Sequence, residues 1–290
     1  MALDQRTPTV PAVAYGLRKL RTAYAGSAVR VRRATGGTSD IGFASNGDLD
    51  SATLTTFCAA TNCFITDWYD QSGNFRDFSQ ATTTKQARIV NAGVIDLAGG
   101  QPAAVFSGGQ YYGSTYNATN LTSGAGTITT VNFVETAATV NQALFSNADG
   151  STNRYCVFAP WGDGRSYLDF GNIGGAMMGR IDGPLTWTGM SVGTYRRSGA
   201  QGNIFKNGTS AVSGAAMSTA STSVAPMWLG VYDGAGAGSF IMNGTVSELM
   251  AFTTALSTVE RGLLERNQGK TFGVTIPASL PLAPTAPVAT

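Results

Sequence analysis

The chain has 290 residues, of which 43% are apolar and only 12% are charged, and its formal net charge is +2. Average soluble domains carry roughly 25% charged residues, so this surface must consist largely of Thr, Ser, Asn and the 37 glycines. Such a composition favours many short strands joined by tight turns over a helical bundle. The small net charge gives no electrostatic basis for binding nucleic acid, and no apolar run is long enough for membrane insertion.

The ionisable residue types restrict the chemistry further. The sequence contains no histidine, which excludes Ser-His-Asp and Cys-His nucleophiles and the usual transition-metal sites. Three cysteines alone are too few for a structural zinc site. We therefore expect no cofactor and no metal, and any catalysis would have to use carboxylates.

The N-terminal region is predicted to contain an extended arm, a short helix and a half-buried strand. Pro8 and Pro11 favour an extended arm over residues 1–12. In residues 13–24 apolar side chains recur at helical spacing, which predicts a short helix on the edge of a sheet. Valines then alternate with arginines in residues 28–34, as in a strand with one buried face. Residues 49–58 are expected to form one helical turn that begins near Asp50.

From residue 86 onward, short β-prone runs alternate with glycine-rich turns. Regularly spaced short strands with little helix between them are typical of an antiparallel sandwich or barrel. Asn207 and Gly208, between two such runs, match the pattern of a two-residue hairpin. Residues 13–273 are therefore predicted to form one all-β domain.

One longer helix is predicted near the C-terminus, over Ser257–Lys270. Ser257 and Glu260 have the spacing of a capping box, and Gly269 is the expected C-cap. Residues 274–290 carry no charge. We expect an extended tail that lies on a neighbouring subunit and attaches through its four prolines, Pro277, Pro281, Pro284 and Pro287.

Residues 240–273 resemble the closing segment of laminin-G-like and concanavalin-like jelly rolls. In those domains a last strand of the form F-x-G-x-I-x-E precedes a helix that starts L-S-x-x-E-R, and "LSTVERG" is similar here. The segment "IFKNGT" also resembles a hairpin of these domains. The resemblance implies a concanavalin-like β-sandwich of the jelly-roll type, a fold that recurs in bacteriophage virion proteins.

A second resemblance covers about the first 110 residues. The segments "AYGLRKLRTAYAGSAVRVRRATGGTSDIGF" and "FCAATNCFITDWYDQSGN" are similar to the start of the catalytic domain of α-L-arabinofuranosidase B. By this resemblance Cys58 and Cys63 form a disulfide, and Cys156 stays a buried free thiol. The loop that follows is interpreted as structural rather than catalytic, with the Asp70 side chain accepting backbone N–H groups. Its residues are Asp70, Gln71, Ser72, Gly73 and Asn74.

The resembling enzymes use a Glu nucleophile and an Asp general acid. Asp233 matches the general acid, but Cys156 stands where the nucleophile is expected. Because a retaining glycosidase needs two carboxyl groups roughly 5–5.5 Å apart, the resemblance predicts a retained fold with hydrolysis absent or marginal. The acids left over for an inverting pair are Asp163, Asp169 and Glu248.

Three functions are compatible with these observations. The expected one is a non-enzymatic virion structural protein, a bacteriophage decoration or tail component assembled in the host cytoplasm. Its partners would be copies of itself, other virion subunits and, weakly, host surface glycans. This expectation rests on the few charges, the absence of an export signal in the first residues and the terminal arms.

The two alternatives both involve carbohydrate. One is a glycoside hydrolase of the α-L-arabinofuranosidase type, with Asp233 as its acid. The other is a free lectin-like module that stacks sugars on aromatic rings. The aromatic candidates for such stacking are Trp68, Tyr111, Tyr112, Trp161, Trp187 and Trp228.

Overall fold

Short extended segments joined by glycine turns make up most of the chain. The structure, a computed structural model, describes residues 9–117, 124–134, 141–147, 152–174, 179–183, 188–218, 225–233 and 240–278. Two α-helices, α1 (Ser51–Phe57) and α2 (Thr258–Phe272), and a 3-10 turn at Thr83–Lys85 accompany the strands in these ranges.

The strands form two groups along the chain, before and after residue 120. Those before residue 120 are β1 (Val13–Gly16), β2 (Val29–Arg33), β3 (Thr38–Ile41), β4 (Cys63–Trp68), β5 (Phe78–Ser79), β6 (Arg88–Asn91), β7 (Val94–Ile95), β8 (Leu97–Ala98), β9 (Gln101–Pro102), β10 (Ala104–Ser107) and β11 (Tyr112–Asn117). Those after it are β12 (Ala125–Val134), β13 (Ala143–Ser146), β14 (Asn153–Phe158), β15 (Ser166–Asn172), β16 (Arg180–Gly183), β17 (Gly189–Ser198), β18 (Gln201–Lys206), β19 (Thr209–Ala216), β20 (Pro226–Leu229) and β21 (Asn243–Phe252).

The strands pair antiparallel in two layers. Layer A has the order β19–β18–β17–β12–β21, and both β1 and β10 pair with the other side of β21. Layer B has the order β16–β15–β14–β13–β20–β11–β5–β4–β2–β3. Strand β6 pairs with β10 of layer A and with β4 of layer B, and so joins the two. The predicted antiparallel β-sandwich is confirmed.

The core lies between the layers. Tyr15 of layer A is packed on Phe78 of layer B, with ring centroids 4.4 Å apart. On layer B the rings of Phe145, Tyr155 and Phe170 form a continuous row, with centroids 5.7 and 4.6 Å apart. All five side chains are fully buried, and burial of such a side chain contributes roughly 1.5–3 kcal/mol.

Helix α2 covers the outer face of layer A. Ser257 and Glu260 form the predicted capping box, which satisfies two backbone N–H groups of the first turn. The helix ends at Gly273, with a φ of 68°, and not at the predicted Gly269. Gly269 is needed for another reason, because a Cβ there would lie 2.4 Å from a side-chain carbon of Ile276, on the chain that follows the helix.

The contact between α2 and layer A is partly polar. Leu264 and Phe272 provide buried apolar surface. Beside them Glu265 is fully buried and pairs with Arg261 of the same helix. The buried Glu248 of β21 pairs with Arg18 and accepts a hydrogen bond from Gln268, at 3.3 Å.

Residues 13–24 do not form the predicted helix. Val13–Gly16 are fully buried as β1 and pair with β21, where Val13 lies opposite Ala251. Arg18 is 9% exposed and paired with Glu248. The apolar spacing that suggests a helix is instead that of a strand followed by an irregular segment.

The loop at residues 70–74 explains this difference. Gln71 accepts a hydrogen bond from the Leu20 N–H (2.7 Å) and donates to the carbonyls of Gly16 (2.9 Å) and Arg18 (3.1 Å). Asn74 donates to the carbonyl of Ala12 at 3.0 Å. These side chains satisfy backbone groups that a helix would have satisfied internally.

Other local predictions are confirmed. Val29 and Val31 of β2 are buried while Arg30 is exposed. Asn207 and Gly208 connect β18 and β19 with φ values of 51° and 78°, as a type I′ turn requires. Helix α1 begins after Asp50, whose side chain accepts the Thr53 N–H at 3.0 Å.

Most of both predicted arms lies outside the described residues, since these begin at 9 and end at 278. That includes Pro281, Pro284 and Pro287. The described parts lie against the sandwich: the Ala12 N–H donates to the Ala251 carbonyl at 2.7 Å, and Ile276 packs on the cluster around Phe272. Pro277 is exposed. Among the described helices, none is both long and apolar enough to cross a membrane.

Candidate functional site

The outer face of layer B carries polar and aromatic side chains along β13–β16. Tyr155 and Val157 of β14 point into the core. The alternate residues Arg154, Cys156 and Phe158 therefore lie on the outer face. Across the strands Cys156 lies opposite Asp169 of β15, so the two side chains share this face.

Asp169 is the centre of a charged cluster on this face. Its carboxylate is fully buried and accepts hydrogen bonds from two arginines. Arg154 Nε lies 2.7 Å from Oδ2, and Arg180 Nε and Nη2 lie 2.5 and 2.7 Å from Oδ1 and Oδ2. Two guanidinium groups surround one carboxylate, so the cluster carries one excess positive charge and its arginines are held in fixed orientations.

Aromatic side chains form a wall beside this cluster. Phe158, Trp161, Tyr232 and Phe240 have ring centroids 4.7–6.1 Å apart, and Tyr167 packs on Trp161 at 5.9 Å. Arg154 donates to the Tyr232 hydroxyl and lies 4.8 Å from the centre of its ring. Trp161, Tyr167 and Phe240 are half-buried, so part of the wall faces solvent.

Asp233, the predicted general acid, follows Tyr232 directly and is half-buried. The backbone before it is fixed because the Ser146 hydroxyl donates to the carbonyls of Val231 (3.1 Å) and Tyr232 (2.5 Å). Tyr232 is hydrogen-bonded to Arg154 through its hydroxyl, so Asp233 is one residue along the chain from a direct contact of the Arg154–Asp169–Arg180 cluster.

The other predicted acids each have partners of their own. Asp163 is exposed and accepts a hydrogen bond from the Tyr167 hydroxyl at 2.6 Å. Asp169 belongs to the arginine cluster, and Glu248 lies under α2 on layer A. Layer A and its core separate Glu248 from the outer face of layer B.

The predicted aromatic candidates are dispersed. Trp68 and Tyr112 are fully buried in the core. Tyr111 and Trp228 are half-buried and contact each other, with centroids 6.4 Å apart. Trp161 alone of the described candidates belongs to the wall, and Trp187 lies outside the described residues.

The cysteines have structural positions. Cys58 and Cys63 form the disulfide that the resemblance implies, between the end of α1 and the start of β4. Cys156 is a buried free thiol. Burial, and then the charge of Asp169, raise the pKa of the Cys156 thiol well above its ordinary value, against the opposing effect of Arg154 and Arg180. A neutral thiol cannot replace a carboxylate nucleophile.

Sequence reasoning missed the two arginines that surround Asp169. The available signal was the strand "NRYCVFAP", in which Arg154, Cys156 and Phe158 alternate with core residues. Nothing in that strand indicates that Arg180, from β16, reaches the same carboxylate. In the described ranges no group of three or more acidic or cysteine side chains is arranged to hold a metal ion.

The outer face of layer B thus places fixed guanidinium donors beside partly exposed aromatic rings, which together can contact the hydroxyls and the apolar faces of a ligand. The sequence profile of the family described as "Alpha-L-arabinofuranosidase B, catalytic" matches residues 3–194. The chain belongs to this family.

Individual relatives are similar to different extents. The probable α-L-arabinofuranosidase B of Aspergillus flavus is 44% identical over 66 residues, which are 22% of this chain and only 13% of that protein. A crystal structure of an arabinofuranosidase complexed with arabinofuranosyl-α-1,2-xylobiose has a TM-score of 0.68 at 20% identity, covering 98% of this chain and 67% of that one. A GH54 α-L-arabinofuranosidase soaked with a cyclic sulfate inhibitor has a TM-score of 0.66 with the same identity and coverage.

These findings correct the expected function. The prediction of a bacteriophage virion component is wrong, because the family match and the sandwich of arabinofuranosidase type both point to the alternative. Low charge and an uncharged tail are compositional features that do not distinguish a virion component from other β-sandwich proteins.

Proposed function

We propose that this chain is a glycoside hydrolase domain of the α-L-arabinofuranosidase type, acting on terminal arabinofuranosyl groups at the outer face of layer B. The observation that carries the proposal is that Asp233 directly follows Tyr232, a residue of the aromatic wall that is hydrogen-bonded to Arg154 of the charged cluster, in a chain of that family.

Each part of the face has a role in this proposal. The guanidinium groups of Arg154 and Arg180 donate charge-assisted hydrogen bonds to sugar hydroxyls. The rings of Trp161 and Tyr167 pack against the apolar face of the furanose ring, where its C–H groups lie. Asp233 donates the proton to the leaving-group oxygen as the glycosidic bond breaks, a water molecule forms the new bond to the anomeric carbon, and the proton that this water loses restores the Asp233 acid through solvent. Asp169 keeps the two arginines in place and does not itself contact the sugar.

The test compares two leaving groups. A 4-nitrophenolate leaves without protonation, whereas a methoxide requires a proton. Asp233→Asn should therefore lower kcat/KM about 10²–10⁴-fold for methyl α-L-arabinofuranoside and much less for the 4-nitrophenyl glycoside. Asp96→Asn, which affects only the ion pair with Arg88, serves as the matched control. Equal losses on both substrates would exclude Asp233 as the acid.

A second candidate function is binding of the same sugar without hydrolysis. It is favoured by one observation: both oxygens of Asp169 are occupied by arginines, and its neighbour on β14 is a thiol. Calorimetric titration with an arabinofuranosyl xylo-oligosaccharide separates the two functions. Saturable binding that Arg180→Met weakens, with no release of arabinose, supports the binding module; release of arabinose supports the hydrolase.

A further inference from the structure

A cavity of about 590 Å³ opens at the other end of layer B, between residues 21–27 and the loop after β4. Six of its lining residues carry the argument: Arg21, Tyr24, Asp40, Tyr69, Phe75 and Asp77. Strands β13, β20, β11 and β5 lie between β4 and β14 in layer B, so at about 4.8 Å per spacing β4 is roughly 24 Å from the strand that carries Arg154.

Phe75 is the most unusual residue of this cavity. Its side chain is 90% exposed, and its φ of 56° lies in the left-handed region, which bulky residues rarely adopt. The neighbours hold this conformation: Asn74 and Arg76 both donate to the Ala12 carbonyl at 3.0 Å, and the Arg76 N–H donates to Asp70 at 3.2 Å. The loop thus presents a rigid aromatic ring to solvent.

A second cavity of about 440 Å³ adjoins the first across residues 24–27. Tyr24 lines both cavities, and its ring contacts Phe43 of the second, with centroids 6.3 Å apart. Both volumes are within the usual range for small-molecule sites. The two cavities share residues 24–27 as lining, and we call the pair of cavities the groove.

The polar groups of the groove suit a ligand with hydroxyl groups. Asp77 accepts the Asp70 N–H at 2.7 Å, and Asp40 accepts a hydrogen bond from the Tyr69 hydroxyl at 2.8 Å. Burial first, then the charges of Asp77 and Asp70, raise the pKa of Tyr24 to about 12, so the phenol stays protonated. Carboxylate acceptors beside the exposed Phe75 ring suit the hydroxyls and the apolar face of a sugar.

We propose that this groove is a second saccharide site, which binds a neutral oligosaccharide through Phe75, Tyr24 and Asp77 and takes no part in catalysis. The existence of the site does not depend on hydrolysis at Asp233. The choice of a pentose polymer as its ligand rests on the proposed function.

The experiment measures binding of xylotetraose to the full chain by calorimetric titration. We expect Phe75→Ala to weaken binding at least about tenfold, as loss of one aromatic anchor does. Leu97→Ala removes another exposed apolar side chain, 60% exposed and outside the groove, and should leave binding unchanged. Turnover of 4-nitrophenyl α-L-arabinofuranoside should be equal in all three proteins.

Two results would overturn the proposal. One is binding that Phe75→Ala does not affect, and the other is a preference for a cationic glucosamine oligomer over xylotetraose. A protein that shows no turnover but binds xylotetraose through Phe75 would refute the proposed function and leave the second site supported.

Discussion

Asp70 accepts four hydrogen bonds, from β1 and from its own loop. The donors are the N–H groups of Ala14 (2.8 Å), Ser72 (2.9 Å) and Arg76 (3.2 Å) and the Ser72 hydroxyl (2.6 Å). Asp70→Asn removes the charge and replaces one acceptor oxygen by a donor, so we expect a loss of about 2–4 kcal/mol in the free energy of unfolding. Urea denaturation measures it. Asp40→Asn, in the exposed pair with Arg30, should cost less than about 1 kcal/mol.

The reactivity of the Cys156 thiol tests whether this side chain is buried. Since burial and the neighbouring Asp169 raise the pKa of its thiol, we expect no reaction with Ellman's reagent at pH 8 in the native protein. After unfolding without a reductant, one thiol, that of Cys156, should react with the reagent. After reduction and unfolding, all three thiols should react. A full equivalent of reactive thiol in the folded chain would contradict the buried position.

Helix α2 contains two glutamates with opposite effects on stability. Burial raises the pKa of Glu265 despite Arg261, so the folded state holds this proton longer than the unfolded chain. Stability is then lost as pH rises above the unfolded value of about 4.3. Relative to the wild type, Glu265→Gln should therefore become more stable between pH 4 and pH 7, as measured by urea denaturation at each pH.

Glu260 is the matched control within the same helix. Partial burial opposes its ionisation, but hydrogen bonds from Thr9 and Ser257 outweigh this and lower its pKa. The stability that Glu260 provides is present above the unfolded pKa and is lost on acidification. Glu260→Gln should thus lose stability relative to the wild type as pH rises from 3 to 6. A pH dependence of the same sign in both variants would contradict the assignment.

Sequence patterns predicted those elements whose signals are local. The Ser257–Glu260 capping box, the Asn207-Gly208 turn and the alternation of β2 each depend on neighbours within a few residues. The helix predicted for residues 13–24 was wrong because the hydrogen-bond partners of this segment, Gln71 and β21, are distant in sequence. Helical spacing cannot be distinguished from a strand followed by a loop when the deciding contacts are remote.

For the molecule as a whole, the two-layer sandwich could be predicted from the sequence. The candidate site could be predicted only in part. Asp233 was found through a resemblance, whereas the arginines around Asp169 come from β14 and β16 and meet only in the folded sheet. The groove beside Phe75 was missed because an exposed aromatic residue in a loop has no distinguishing sequence pattern. Its significance comes from the backbone conformation and from the cavities around it.

The position of β21 determines when the fold can form during synthesis. This strand lies between β12 on one side and β1 and β10 on the other, yet it begins 230 residues after the start of β1, at Asn243 against Val13. At roughly 5–20 residues per second, β1 waits on the order of tens of seconds before its partner emerges. Until then Val13 and Tyr15 are exposed on an incomplete sheet edge, where nascent chains need protection by chaperones.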